Sequence, residues 1–187
     1  MTSRFPFTKA VQIAVCGALL LTGCPGTGDM GGRGSVAGLV AEGIEHDTRE
    51  CQIPANAEAL AARLLELVNQ ERTQRGLHAL TLSPQLTAIA EDHACEMIEG
   101  GFFAHVNPYT GDGPAERAIK AGYVFLALGE NLAGGQPTPE QTVAEWMNST
   151  QGHREIILAA QWGETGIAVR TGGEHGVYWV QEFGNPP

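Results

Sequence analysis

Apolar residues recur at helical spacing in four separate stretches after residue 53. In the first, from Pro54 to Arg75, Leu60, Leu64, Leu67 and Val68 form a single stripe. Gly76 follows as a helix-ending residue. The pattern predicts three more helices: from Pro84 to Gly100, from Pro114 to Ala121, and from Pro139 to about Gly152. Ser83 and Thr138 stand directly before proline, which is the arrangement of an N-cap followed by the first helical residue.

Two other patterns predict strands. The apolar run from Tyr123 to Leu128 is typical of a buried strand, which would lead into a loop at Gly129-Glu130-Asn131. Toward the C-terminus, apolar and polar residues alternate on both sides of a glycine-rich turn at 171–176, which predicts an antiparallel hairpin. Helices, a strand, a helix and a hairpin follow one another without regular βαβ alternation. The predicted fold class is therefore α+β, with helices on the faces of a short antiparallel sheet.

The first residues carry the pattern of a lipoprotein signal peptide. Arg4 and Lys9 precede the apolar stretch 10–21, which is too short to cross a bilayer as a helix. The stretch ends in Leu21-Thr22-Gly23-Cys24, which resembles the lipobox of bacterial lipoproteins, whose cysteine accepts a lipid. We predict a signal peptide over residues 1–23 and lipidation of Cys24, with an ordinary cleaved signal as the alternative. The protein would then be exported and anchored by lipid to a membrane of the cell envelope, or be extracellular.

Composition divides the rest of the chain into a tether and one domain. Residues 24–56 include a glycine-rich stretch that cannot bury enough apolar surface to order itself. Residues 57–187 are enough for one domain of ordinary core size. The formal net charge of −10 repels phosphate backbones and anionic head groups, so it argues against nucleic-acid partners. Attachment to a membrane would have to come from the N-terminal lipid.

The cysteines agree with export. Cys16 would leave with the signal peptide and Cys24 would carry the lipid, so Cys51 and Cys95 remain. Two cysteines in an oxidising compartment predict a disulfide, with two separate thiols as the alternative. On a helical wheel Cys95 lies opposite Leu86, so a bridge would bind the segment around Cys51 to the outer face of the second helix.

Four separated motifs together resemble the CAP superfamily, also called SCP-like, in its bacterial secreted form. They are Leu67-Val68-Asn69-Gln70-Glu71-Arg72, Phe102-Phe103-Ala104-His105 with Ala121-Gly122-Tyr123, Gly129-Glu130-Asn131-Leu132-Ala133, and Trp146-Met147-Asn148-Ser149 with Gly152-His153-Arg154. The closing Gly166-Ile167 and Tyr178-Trp179-Val180-Gln181 also match. The resemblance implies a three-layer α-β-α sandwich, which agrees with the element order predicted above.

The resemblance also implies a cleft containing histidines and glutamates. By motif, His105, Glu130 and His153 take three of the four positions, and Ser149 stands where many members have a second glutamate. Asn131 and Ser149 are expected to line the cleft. Two imidazoles and a carboxylate suit Zn²⁺ or another divalent cation, which we predict as the cofactor. Each residue taken alone has an alternative role in pinning a loop through backbone hydrogen bonds.

Two functions of different class follow, and a purely structural envelope protein with an inert cleft is the third alternative. The first is a non-enzymatic binding module that presents the cleft to an envelope ligand: a lipid, a glycan or a protein. The second is a metal-dependent hydrolase acting on peptide or cell-wall material, with the metal supplying an activated water. Because no nucleophile with an orienting partner is evident from the motifs, the sequence favours the binding module. His93, on the buried face of the second helix, is predicted to be a core residue.

Overall fold

The computed structural model describes residues 49–187. The predicted signal peptide, the lipidation site Cys24 and the tether up to residue 48 lie outside these described residues. The elements in chain order are α1 Ala57–Thr73, β1 Thr81–Leu82, α2 Pro84–Gly100, α3 Pro114–Lys120, β2 Ala127–Gly134, α4 Pro139–Asn148, α5 His153–Ile157, β3 Glu164–Gly172 and β4 Gly176–Asn185. Among these residues, no helix combines the length and apolarity needed to traverse a bilayer.

Four strands form one sheet in the order β1-β3-β4-β2. The hairpin β3–β4 is antiparallel, as the alternation predicts, and β2 pairs antiparallel with β4. The two residues of β1 add to β3 in parallel, so the sheet is mixed rather than wholly antiparallel. This order leaves β2 at one edge of the sheet, and the candidate site lies at that edge.

Helices cover both faces of this sheet, so the predicted three-layer α-β-α sandwich is confirmed. Side chains alternate between the faces along each strand. Ile167, Val169, Trp179 and Phe183 pack with α1, α4 and α5, whereas Ala168, Tyr178 and Val180 pack with α2. Gly166 allows the start of α2 to approach β3 closely: a Cβ there would lie 2.0 Å from the carbonyl carbon of Leu86.

The sequence signals for helix ends are only partly confirmed. The hydroxyl of Thr138 accepts a hydrogen bond from the Gln141 amide at 3.3 Å, so the predicted N-cap is present. Ser83 precedes α2, but its side chain makes no capping hydrogen bond. The short helix α5, which begins at His153, had no signal in the hydrophobic pattern.

The predicted strand before the Gly129-Glu130-Asn131 motif is wrong in position. β2 begins at Ala127, and residues 123–126 precede it without strand pairing. The motif therefore lies inside the strand rather than in a loop after it. The cause is pairing with β4, which places Glu130 directly opposite Glu182.

A disulfide joins Cys51 and Cys95, as predicted. Gln52 also forms an antiparallel bridge with Thr171, with both main-chain hydrogen bonds at 2.9 Å. The residues just before α1 are therefore bound to α2 and β3. α1 begins at residue 57, the predicted domain start, but Cys51 and Gln52, which the prediction assigned to the tether, are also bound to the domain.

Arg72 supports the segment that carries α5. It is completely buried, and its guanidinium donates to the carbonyl oxygens of His78, Ile157, Ala159 and Trp162 at 2.6–3.3 Å. Four carbonyl groups thus share one buried charged donor, and hydrogen bonds from a charged donor are stronger than those between neutral groups. The motif arginine of α1 therefore positions the end of α5.

Candidate functional site

The site is built around two glutamates on neighbouring strands. Glu130 of β2 and Glu182 of β4 are cross-strand partners, so both side chains point to the face covered by α2 and α3. Both residues are buried, with 4% and 1% of their surface exposed. Like charges directly opposite one another are unfavourable, so this pair requires a compensating cation or a proton.

Arg117 of α3 supplies the cation. Its Nη2 hydrogen-bonds to Oε2 of Glu130 and lies 3.5 Å from Oε1 of Glu182. Burial raises the pKa of Glu130, but the His105 hydrogen bond and the charge of Arg117 outweigh burial and hold that pKa below its usual value. Burial and the charge of Glu130 raise the pKa of Glu182 well above its usual value. One carboxylate and one carboxyl group thus share the guanidinium.

His105 lies on the irregular segment between α2 and α3. Its Nδ1 is 2.7 Å from Oε1 of Glu130, and its carbonyl oxygen accepts from Nη1 of Arg117 at 3.0 Å. An ionised carboxylate only accepts hydrogen bonds, so Nδ1 of His105 must carry the hydrogen. In the neutral ring, this leaves the lone pair of Nε2 available. The side chain of His105 is 52% exposed, so solvent reaches it.

A further histidine lies beneath this contact. His93 of α2 is fully buried; its Nε2 is 3.1 Å from the carbonyl oxygen of Ala104 and 3.8 Å from Oε2 of Glu130. Burial lowers the pKa of His93, which favours the neutral ring. The prediction of a core histidine with satisfied hydrogen bonds is confirmed. The core position nevertheless adjoins the site.

His153 lies on the other side of β2, at the first residue of α5. Its Nδ1 is 3.0 Å from Oγ of Ser149, and Oγ also accepts from the main-chain amide of Gln151 at 3.0 Å. Both His153 and Ser149 border a cavity of about 470 Å³, which is also lined by Leu132, Glu145, Trp146, Asn148, Thr150 and Gln151. Burial lowers the pKa of His153, and the electrostatic effect of the His105 imidazole acts in the same direction.

Asn131 occupies a different position from the predicted one. Because it follows Glu130 on β2, its side chain points to the opposite face of the sheet. It is completely buried, and its Nδ2 donates to the carbonyl oxygen of His153 at 3.1 Å. Asn131 therefore supports the start of α5 instead of lining the cavity.

The structure thus brings His105 into contact with Glu130, and it brings His153 into contact with Ser149. Among residues 49–187, no three His, Cys, Asp or Glu side chains are grouped closely enough to hold a metal ion. The two oxygens of Glu130 accept hydrogen bonds from His105 and Arg117. A cation held directly by Glu130 would compete with both donors, so the ligand atoms left for one are the imidazole nitrogens that Glu130 and Ser149 do not engage.

Sequence reasoning missed Arg117 and Glu182. Arg117 lies in a short helix that looks like an ordinary amphipathic turn, and Glu182 lies in the alternating pattern of β4. One signal was available for Glu182. It shares the face of Tyr178 and Val180, so a charged residue stands at a core position. A carboxyl group at such a position requires a partner, but the pattern does not indicate which one.

Fold and site together define a class: small α-β-α sandwich domains with a histidine in contact with a buried glutamate at one sheet edge. The sequence profile of the cysteine-rich secretory protein family (CAP) matches residues 65–183. The chain belongs to this family. It is 34% identical over 130 residues to the uncharacterized protein YkwD of Bacillus subtilis (strain 168). The match covers 70% of this chain and 49% of YkwD, so the chain spans about half the length of that relative.

Solved structures show the same fold. An extracellular SCP-domain protein of Bacillus anthracis str. Ames matches with a TM-score of 0.62 and 24% identity, over 69% of this chain and 41% of that protein. An outer surface protein of Borrelia burgdorferi matches with a TM-score of 0.62 and 22% identity, over 67% of this chain and 92% of that protein. NaASP2, whose structure was determined with Zn²⁺, matches with a TM-score of 0.51 and 15% identity, over 73% of this chain and 85% of its own.

Proposed function

We propose that the protein is an exported CAP-domain binding module, anchored by a lipid on Cys24, whose cleft takes a divalent cation such as Zn²⁺ between His105 and His153. The cation and the surrounding polar cavity would present a surface to an envelope ligand, which is a lipid, a glycan or a protein. Export agrees with the relatives, which include an extracellular protein and an outer surface protein. The lipid anchor depends on the lipobox-like sequence before Cys24.

One observation carries the cation proposal. Both imidazoles have Nδ1 engaged, by Glu130 in His105 and by Ser149 in His153. Metal-binding histidines usually donate their other ring N–H to a carboxylate or another acceptor, which fixes the tautomer and the ring orientation. On this proposal Glu130 orients His105 and is not itself a ligand. A bound cation would supply Lewis acidity and an open position for a ligand atom.

Zinc titration of the lipid-free domain, residues 49–187, tests the cation site. Isothermal calorimetry should find one Zn²⁺ per chain, and His105→Ala and His153→Ala should each weaken binding at least tenfold. His78→Ala is the matched control, because His78 is exposed and lies outside the site. The proposal fails if the unmodified domain takes up no zinc, or if His105→Ala binds zinc as tightly as the control.

A second candidate function is hydrolysis by a Ser149–His153 pair. The 3.0 Å contact favours it, because the lowered pKa of His153 keeps the ring able to accept a proton. The two functions require opposite hydrogen positions: Nδ1 of His153 donates to Ser149 in the binding module and accepts from Ser149 in the hydrolase. The assay is cleavage of a peptide library or of peptidoglycan fragments with no metal added. Cleavage by the unmodified protein that is abolished in Ser149→Ala would establish the hydrolase.

The anchor has its own test. In cells expressing the full chain, labelling with a radioactive fatty acid should mark the protein, and Cys24→Ser should abolish the label. Cys16→Ser is the matched control and should retain the label, since Cys16 lies in the predicted signal peptide. A labelled Cys24→Ser protein, or an unlabelled full chain, would contradict the proposed anchor and leave the cation site unaffected.

A further inference from the structure

The buried guanidinium of Arg117 holds His105 directly through its main chain and, by way of Glu130, through its side chain. Nη1 of Arg117 donates to the carbonyl oxygen of His105 at 3.0 Å, and Nη2 donates to Oε2 of Glu130. The other carboxylate oxygen of Glu130 accepts from Nδ1 of His105 at 2.7 Å. The three residues form a closed ring of hydrogen bonds, in which Arg117 fixes the main chain of His105 and also the acceptor of its side chain.

His105 has little other support. It stands in the irregular segment 101–113, and about half of its side chain is exposed. Arg117 also donates to the carbonyl oxygen of Asp112 at 3.3 Å, so it binds this segment at two points seven residues apart. By contrast, the side chain of Arg117 is only 6% exposed and sits on α3. The side chain of Arg117 is therefore the more tightly held of the two, and the position of His105 depends on it.

From this ring we infer that Arg117 is a positioning residue for the candidate cation site. By holding both the His105 carbonyl and the Glu130 carboxylate, Arg117 keeps the His105 ring in the Nδ1–H tautomer with the Nε2 lone pair available. The consequence for binding rests on the proposed function, but the effect on the ring does not. A guanidinium suits this role because its planar, forked donors serve two acceptors at fixed angles, whereas an ammonium is a point charge.

A simpler role for Arg117 is to neutralise the buried Glu130 and Glu182. Arg117→Lys separates the two roles, because lysine keeps the charge and loses the forked donors. Under neutralisation alone, the lysine variant would leave His105 unchanged. Under positioning, the ring of His105 would lose its fixed tautomer although the charge is preserved.

The experiment is ¹⁵N NMR of the imidazole nitrogens in the metal-free domain, residues 49–187, at a pH where histidines are neutral. His105 should show the Nδ1–H tautomer in the unmodified protein, and exposed His78 in the same spectrum gives the unrestrained mixture. In Arg117→Lys, His105 should shift toward the His78 pattern. Arg75→Met is the matched control: it removes an exposed arginine paired with Glu71, and His105 should not change.

If Arg117→Lys does not fold, the double variant Arg117→Lys/Glu182→Gln removes the cost of keeping Glu182 protonated, which stabilises the folded domain, and it gives the same measurement. An unchanged His105 tautomer in the folded lysine variant overturns the inference, as does a His78-like mixture in the unmodified protein. Zinc affinity should fall about 10- to 100-fold in Arg117→Lys, which is the usual effect of losing an outer partner of a metal-binding histidine. If the unmodified domain binds no zinc, the cation proposal fails while the tautomer result still decides the role of Arg117.

Discussion

Glu182→Gln should stabilise the domain at neutral pH, although it removes a buried ionisable side chain next to Arg117. Glu182 lies opposite Glu130 in the sheet and is 1% exposed. Arg117 contacts Glu130 more closely than it contacts Glu182, and Oε1 of Glu182 has no hydrogen-bond partner among the described residues. A neutral glutamine amide can donate to the Glu130 carboxylate and accept from Arg117, as a protonated Glu182 would.

The sign follows from the direction of the pKa shift. Burial and the charge of Glu130 raise the folded-state pKa of Glu182 well above its usual value. The contribution of Glu182 to stability is therefore complete below its unfolded pKa of about 4.3 and is lost as the pH rises through the folded pKa. At pH 7, keeping the group protonated costs at most about 4 kcal/mol, since each pH unit above the unfolded pKa costs about 1.4 kcal/mol. Imperfect packing of the amide reduces the expected gain to about 1–3 kcal/mol.

Urea unfolding followed by circular dichroism measures this gain at pH 7.5 and pH 4.5, with the disulfide kept oxidised. The free energy of unfolding of Glu182→Gln should exceed that of the unmodified domain at pH 7.5, and the difference should nearly vanish at pH 4.5. Glu66→Gln is the control, because Glu66 is exposed and pairs only at the surface. If Glu182→Gln is destabilising at pH 7.5 and less so at pH 4.5, then Glu182 is an ionised partner of Arg117 and the reasoning is wrong.

Three further predictions concern the fold that supports the site. Arg72→Met should lower the free energy of unfolding by about 3–5 kcal/mol, because four carbonyl groups lose a buried charged donor. Thermal unfolding measures this loss, and a change under about 1 kcal/mol would contradict the prediction. Gly166→Ala should lower the free energy of unfolding by about 1–3 kcal/mol, because the new Cβ would meet the backbone of Leu86. Gly163→Ala is the control and should be tolerated, because a Cβ at Gly163 would have no atom within 4 Å. Equal melting temperatures of the two variants would refute the prediction. Replacing Cys51 and Cys95 by alanine should cost about 4 kcal/mol, the chain-entropy value for residues 44 positions apart, and reduction of the unmodified domain should match it in urea unfolding.

The sequence by itself determined the elements whose signals are local. Periodic apolar residues placed α1, α2 and α4, and proline after Ser83 or Thr138 located two of the helix starts within a residue. Alternation around a glycine-rich turn located the β3–β4 hairpin. These signals suffice because helix and hairpin geometry depend on residues a few positions apart. The family motifs pointed to His105, Glu130 and His153 as candidate site residues and implied the three-layer sandwich, while the element order indicated a sheet with helices on its faces.

Only the tertiary structure decided how those residues meet. The Gly129-Glu130-Asn131 motif became part of a strand because β4 pairs with it, and that register placed Glu182 against Glu130. Neither Arg117 nor Glu182 has a local pattern that names its partner, since the contact joins α3 to two strands far apart in the chain. His105 and His153 come from helical layers on opposite faces of the sheet. On the edge strand β2, Glu130 meets His105 on one face, and the next residue, Asn131, holds the main chain of His153 on the other.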